Sequence, residues 1–375
     1  MKTIMRRALR VSRASAMTMR PANALHSLYG IGSRAASTQG VMHAAKVERH
    51  AVPLVDIAPL LLSSTTPSAE QKQTILEEMK KACVETGFFT IPTKGVLADE
   101  LIATVYKRSD EFCALPASVK QKYHVQKAPN ARGWTPLFEE PSYQPGVISH
   151  LEGFDLAREL PASYVEPGSS LGPNVWPEEL PGFQRDVYHL YEETSKISNL
   201  LFESFAEMLG LAPDTFIQHA SERAEAFMRL LTYPETDAPV KKSIVGIASH
   251  TDFECFTIIH QNSDGLHLLS RQGEWVEAPV YNDRLFVMVG DMLERWTNGV
   301  LQATEHRVVN SEKKRQSIVR FNGVDGDTVV APLAQFVTSS SPAKYEPTTQ
   351  RLHIQQEIKQ GEEHLAAAKA ALGEA

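Results

Sequence analysis

Disulfide chemistry has little to work with in this chain. Its three cysteines, Cys83, Cys113 and Cys255, are far apart and show no zinc-ligand spacing, so neither a disulfide framework nor a cysteine metal site is expected, and the interior should be a reduced one. Long apolar runs are also missing, which excludes an ordinary membrane-spanning helix. Acidic residues are absent before Glu48, whereas Lys2, Arg6, Arg7, Arg10, Arg13, Arg20, Arg34 and Lys46 are all basic. A basic, Ser- and Ala-rich, acid-free start has the composition of a mitochondrial transit peptide. Residues 1–47 are therefore set aside as a leader, and a mitochondrial location is expected, with the cytoplasm as the other choice. The formal net charge of −7 hides this asymmetry, since without those eight cations the body carries −15. A body that acidic argues against a nucleic-acid partner. No internal repeats or low-complexity tracts are evident.

What remains has the composition of an ordinary globular protein, with 42% hydrophobic and 22% charged residues over 375 positions, enough for a large core. Residues 52–57 alternate and predict a strand. Ser68 and Gln71 form a capping-box pattern ahead of a helical stripe of Ile75, Met79 and Cys83. A short buried strand after Gly87 and a helix from Asp99 to Ala114 follow. Residues 161–181 are rich in Pro, Gly and Ser and read as a linker or extended loop. A long helix is predicted over 182–209, with Phe183, Val187, Leu190, Tyr191, Ile197, Leu201, Phe205 and Met208 on one face. From Ala226 the period switches to two. Many short strands separated by Gly and Asn turns suggest a β-sandwich or barrel. The end, 347–375, predicts a helix with a thin stripe of Ile354, Ile358, Leu365 and Ala368.

The chemistry gathers in Ser249-His250-Thr251-Asp252 and in two later outposts, His306 and Arg315-Gln316-Ser317. On one strand His250 and Asp252 would face the same way. With His306 they would form two histidines and a carboxylate on one side of a metal, leaving its other side open; mixed N and O donors suit Fe(II), Mn(II) or Zn(II). Each of these residues alone has a bland alternative, a hydrogen-bonded core histidine or an aspartate at a turn. Arg315 and Ser317 also share a face, and a guanidinium fork with a hydroxyl is a carboxylate-binding pair. His260 and His267 read as sheet histidines rather than ligands, and Cys255 as buried filler.

These residues stand within a longer series: His250-Thr251-Asp252-Phe253-Glu254-Cys255-Phe256-Thr257, Gly265-Leu266, Gly290-Asp291, Thr297-Asn298-Gly299, His306-Arg307-Val308 and Arg315-Gln316-Ser317. The series resembles the isopenicillin N synthase-like family of iron- and 2-oxoglutarate-dependent dioxygenases. Pro53, Gly87-Phe88-Phe89, Leu115-Pro116 and Lys120-Gln121-Lys122-Tyr123 resemble its N-terminal region, except that Lys94 stands where the family usually has His. Phe253-Glu254 departs from the plant pattern toward a microbial branch.

The resemblance implies a mainly β fold with flanking helices, a double-stranded β-helix (jelly roll) preceded by an α/β N-terminal region. It divides the chain into an N-terminal region (52–180), a scaffold helix (181–225), the jelly-roll core (226–330) and a C-terminal loop and helix (331–375). It implies Fe(II) held by His250, Asp252 and His306, and 2-oxoglutarate held by Arg315, Ser317 and Tyr233, with O2 as cosubstrate. A small organic substrate would be hydroxylated or desaturated, with release of succinate and CO2. No catalytic side chain is expected beyond the ligands. Arg132, Trp134 and Phe321 are the candidates for a substrate pocket, Trp134 being equally readable as a packed loop aromatic. A monomer or small homo-oligomer is expected. The alternatives are a 2-oxoglutarate-independent iron oxidase of the same fold, a metal-dependent hydrolase and a silent binding module.

Overall fold

The computed structural model describes residues 52–61, 67–236, 243–310 and 312–373; the expected leader lies outside them. Two antiparallel sheets form the core. The major sheet runs, edge to edge, Phe88–Pro92, Arg284–Val289, Phe256–Gln261, Arg315–Asn322, Phe227–Tyr233, Glu152–Ala157 and Gly133–Thr135. The minor sheet runs Trp275–Glu277, Leu266–Leu269, His306–Val308 and Ile247–His250. This is a mainly β fold with flanking helices, and the sheets make the expected jelly roll.

Each major-sheet strand has two faces because successive side chains alternate. On Phe227–Tyr233, Met228 and Leu230 join the larger apolar cluster with the helices Ala69–Glu85, Asp99–Cys113 and Phe183–Met208. Leu231 and Tyr233 join a smaller cluster with Ile247, Leu266, Leu268 and Val308 of the minor sheet. The chamber is the interior between the two sheets, lined by the smaller cluster, and the helices stand behind the major sheet.

The scaffold helix spans Phe183–Met208, and all eight residues of its predicted stripe are buried. Phe202 and Phe205 meet Phe256 of the sheet at ring-centroid distances of 4.8 and 5.1 Å. The capping box forms as well, with Ser68 accepting from the Gln71 backbone and Gln71 accepting from the Ser68 backbone. Among the described residues no helix is long and apolar enough to cross a membrane.

Several expectations change. Residues 52–57 make only a bridge, Leu54 to Thr90, because Pro53 has no N–H to give and the chain turns into the helix Ala58–Leu61. Residues 244–250 break at Gly246, where a Cβ would meet the Val308 carbonyl at 2.8 Å. The section around Trp134 and Phe154, read as loops, supplies the last two strands of the major sheet, Glu152–Ala157 and, at the edge, Gly133–Thr135. Gly290 caps a short helix, Asp291–Trp296, rather than a plain turn. The C-terminal helix, Gln350–Leu372, buries Gln350, His353, Gly361 and Ala368, so it docks through a largely polar face, and Ile358 is exposed.

Removing the Phe256 ring should lower unfolding free energy by roughly 3–5 kcal/mol, against about 1 kcal/mol for the exposed cap variant Ser68→Ala. Urea midpoints at an unchanged slope would check this ranking, and a Ser68→Ala cost matching Phe256→Ala would contradict it.

Candidate metal centre

His250 is the last residue of its strand and His306 the first of the neighbouring one, and the two are paired in register. Their ring centroids lie 4.2 Å apart. The Nδ1 of His250 is 2.8 Å from the Ala248 carbonyl, and that of His306 is 3.0 Å from the Thr304 carbonyl. Each ring therefore donates Nδ1–H to backbone and turns its Nε2 lone pair inward, the arrangement a metal-binding imidazole needs. Burial, and then the neighbouring His306, hold His250 well below the usual imidazole range, so it stays neutral.

Asp252 does not share the strand of His250, as the i, i+2 argument assumed; that strand ends at His250. Asp252 is aimed by other means. The short helix Asp291–Trp296 lays its N-terminal backbone along the loop: Asp291 N donates to the Asp252 carbonyl (2.9 Å), Met292 N to the Glu254 carbonyl (3.0 Å) and Gly290 N to the Cys255 carbonyl (2.9 Å). A Cβ on Gly290 would fall 2.4 Å from the Glu254 carbonyl oxygen, so only glycine permits this approach. The Thr257 hydroxyl donates to Asp252 Oδ2. That leaves Oδ1 facing the histidines, 3.7 Å from His250 Nε2 and 3.6 Å from His306 Nε2. Burial raises the Asp252 carboxyl, with His306 and Thr257 pulling it back. One ligand atom from each of the three residues fits within 4.8 Å of the others, a cluster able to hold one ion.

Arg315, Ser317, Val319 and Phe321 alternate along the inward face of the central strand. Arg315 is 1% exposed. Its Nη2 donates to Gln261 at 2.9 Å, its Nη1 lies 3.5 Å from Ser317 Oγ, and its guanidinium stands 4.7 Å over the Tyr233 ring. Nε has no partner, and no carboxylate is paired with Arg315 among the described residues. The equally buried Arg320, on the opposite face, spends its N–H groups on Ser198, Asn322 and the Tyr191 carbonyl. A buried guanidinium lacking an acid, next to a hydroxyl and a phenol, fits the distal carboxylate of a dicarboxylate ligand.

The three pocket candidates separate. Phe321 faces the chamber, 4.9 Å from Phe227. Trp134 is opposite Phe154 in register, on the helix-facing side, and donates to Glu152 at 2.9 Å. Arg132 donates to the Ser170 carbonyl. The structure thus brings neither Arg132 nor Trp134 to the metal cluster; sheet alternation turns them to the other face. Asn298 does serve its turn, with φ of 52°, and its amide also ties Phe336 and Pro342. Burial pushes the Cys83 thiol up to about 12 and the Cys113 thiol up to about 11.

Sequence reasoning missed a second polar group in the chamber, formed by Tyr143, Glu140, Asp155 and Arg229. Tyr143 stacks on His250, with centroids 4.3 Å apart and planes at 13°. Burial, and then Glu140, keep it a neutral phenol. The available signal was Arg229, a lone charge inside the apolar strand pattern Met228-Arg229-Leu230-Leu231.

Replacing Thr257 with Val removes the bond that orients Asp252. Divalent-metal affinity, followed by Co(II) absorption, should fall about 10- to 100-fold with the fold intact; unchanged affinity would show that the helix backbone alone aims the carboxylate.

Comparison with known proteins agrees with this geometry. Residues 52–179 match the model for the non-haem dioxygenase in morphine synthesis N-terminal region, and residues 224–323 match the 2OG-Fe(II) oxygenase superfamily. A 2-oxoglutarate-dependent dioxygenase of Didymella fabae is 32% identical over 76% of this chain and 88% of its own. A homoarginine-6-hydroxylase of Glycine max is 30% identical over 78% and 91%. The crystal structure of a putative 2OG-Fe(II) oxygenase family protein from Caulobacter crescentus superposes with a TM-score of 0.67 at 27% identity, covering 82% of this chain and 98% of that one. With both halves of the fold matched and a His-Asp-His cluster at its centre, the chain belongs to the isopenicillin N synthase-like family of Fe(II)- and 2-oxoglutarate-dependent dioxygenases.

Proposed function

We propose that His250, Asp252 and His306 hold the iron and that Arg315, Ser317 and Tyr233 hold the far carboxylate of 2-oxoglutarate, in an enzyme that hydroxylates or desaturates a small organic substrate. The observation that carries this assignment is the pairing of the His250-Asp252-His306 cluster with a buried Arg315 that has no acid of its own among the described residues. When bound, iron with O2 and 2-oxoglutarate supplies the oxidising chemistry, with succinate and CO2 as the co-products. The chain's own residues set geometry. Two Nε2 lone pairs and Asp252 Oδ1 offer three ligands on one side and leave the other side open. Arg315 fixes one end of the cosubstrate, so its orientation is settled before reaction. Tyr233, kept neutral by burial, donates rather than repels. The family matches do not favour a 2-oxoglutarate-independent oxidase. The soybean relative's name places a guanidino amino acid among the substrates handled at this evolutionary distance, which supports a small, soluble substrate here.

We also propose that residues 1–47 direct mitochondrial import. Fused to a fluorescent protein, they should carry it into mitochondria; diffuse cytosolic fluorescence would refute the proposal.

Anaerobic titration tests the site. A weak charge-transfer band should require both Fe(II) and 2-oxoglutarate and vanish in His250→Ala. In Arg315→Ala it should need about 30-fold more 2-oxoglutarate, or higher still, given roughly 2–5 kcal/mol for a truncated buried charge partner. Tight iron binding with no band would overturn the cosubstrate assignment.

A further inference from the structure

The two histidines of the metal cluster are not held alike. His306 opens an interior strand of the minor sheet and is flanked in register by Leu268 and His250. His250 ends the edge strand, so no strand supports its outer side among the described residues. The bond that turns its ring, to the Ala248 carbonyl, lies within its own strand. One hydrogen bond fixes a ring atom, not the ring plane. What lies against that plane is Tyr143, nearly parallel at 13° with centroids 4.3 Å apart. Stacked rings hold each other's planes.

Tyr143 is itself held from three directions, and two of them lead to the C-terminal helix, Gln350–Leu372. Its phenol donates to Glu140 at 3.1 Å. Phe253 meets its ring edge-on at 6.0 Å, and the helix secures Phe253 through Gln350, which donates to the Phe253 carbonyl at 2.9 Å, and through the His353 ring at 6.0 Å. The helix also clasps Ser142, fully buried, by both backbone groups. Ser142 N donates to the Gly361 carbonyl at 3.0 Å, and the Ser142 carbonyl accepts from His364 Nδ1 at 3.2 Å.

This clasp accounts for a residue that helix formation alone would not choose. Glycine inside a helix is unfavourable, and Gly361 is not in the left-handed region, so no turn requires it. A Cβ there would fall 2.9 Å from Pro141 Cβ and 3.4 Å from the Ser142 carbonyl oxygen. Bare helix backbone is what lets the segment carrying Tyr143 close on the helix.

We propose that Tyr143 is a positioning residue for the metal, holding the plane of His250, and that the C-terminal helix seats Tyr143 through the Gly361–Ser142 clasp. The proposal rests on the reading of His250 as a metal ligand. Co(II) affinity of the metal-free protein, followed by absorption in variants whose urea midpoints show an intact fold, provides the test. Tyr143→Leu should bind about 10-fold more weakly, the low end for a group that orients a ligand. Tyr143→Phe keeps the ring and should stay within about 3-fold of wild type. Gly361→Ala should lose about 3-fold or more in the wild-type background and almost nothing in the Tyr143→Leu background, because the two act through one contact. Ile358→Ala, exposed on the same helix, should change nothing. Where Gly361→Ala does not fold, His364→Ala removes the side-chain half of the clasp and takes its place. Wild-type affinity in Tyr143→Leu, a loss in Tyr143→Phe equal to that in Tyr143→Leu, or a clasp variant that is silent, additive with Tyr143→Leu or matched by Ile358→Ala would overturn the proposal. Tight Co(II) binding that His250→Ala leaves unchanged rejects the ligand assignment beneath it instead.

Discussion

Charge withdrawn from water is the constraint around which this chamber is built. Moving an ionised side chain into a protein interior costs several kcal/mol unless geometry restores what hydration supplied. The chain meets that cost differently at each place. Around Arg229 it supplies two carboxylates of its own. At Asp252 it supplies a hydroxyl and two imidazoles, which a metal ion would complete. At Arg315 it supplies an amide, a hydroxyl and an aromatic face but no anion. On the proposed assignment, iron and 2-oxoglutarate supply what the last two lack.

The scaffold makes such incomplete sites tolerable. The helices behind the major sheet bury a large apolar cluster, including Phe183, Phe205 and Phe256, and fix the backbone whose other face carries the polar groups. The short helix after Gly290 does the same for the Asp252 loop with backbone bonds alone. The C-terminal helix adds a second brace: Gln350 donates to the Phe253 carbonyl, His353 pairs with Asp291, and the Gly361 carbonyl accepts from Ser142 beside Tyr143.

Much of the fold and most of the metal site were legible in the sequence, for physical reasons. His250, Asp252, Arg315 and Ser317 lie in short motifs, and His306 is in a strand with its own turn signals. The long helix declared itself by eight apolar residues in period. Other features depend on partners distant in the chain. Whether Trp134 faces the chamber is decided by its register with Phe154, and nothing near Trp134 encodes that register. Glu140, Asp155 and Arg229 meet only because three separate segments converge. The C-terminal helix docks through Gln350, His353 and Gly361, which no apolar stripe announces.

The alternation of the central strand has a bearing on how such an enzyme changes over time. Arg315, Ser317, Val319 and Phe321 face the interior between the sheets, while Gln316, Ile318, Arg320 and Asn322 face the helices. Neighbouring codons thus answer to different selective pressures. A substitution at one position can alter what the chamber accepts while its neighbour holds stability constant. A single-residue insertion, by contrast, would exchange the two sets at once and forfeit both. Point mutation is therefore the open route to new specificity along this strand, and changes in length are confined to the loops at its ends.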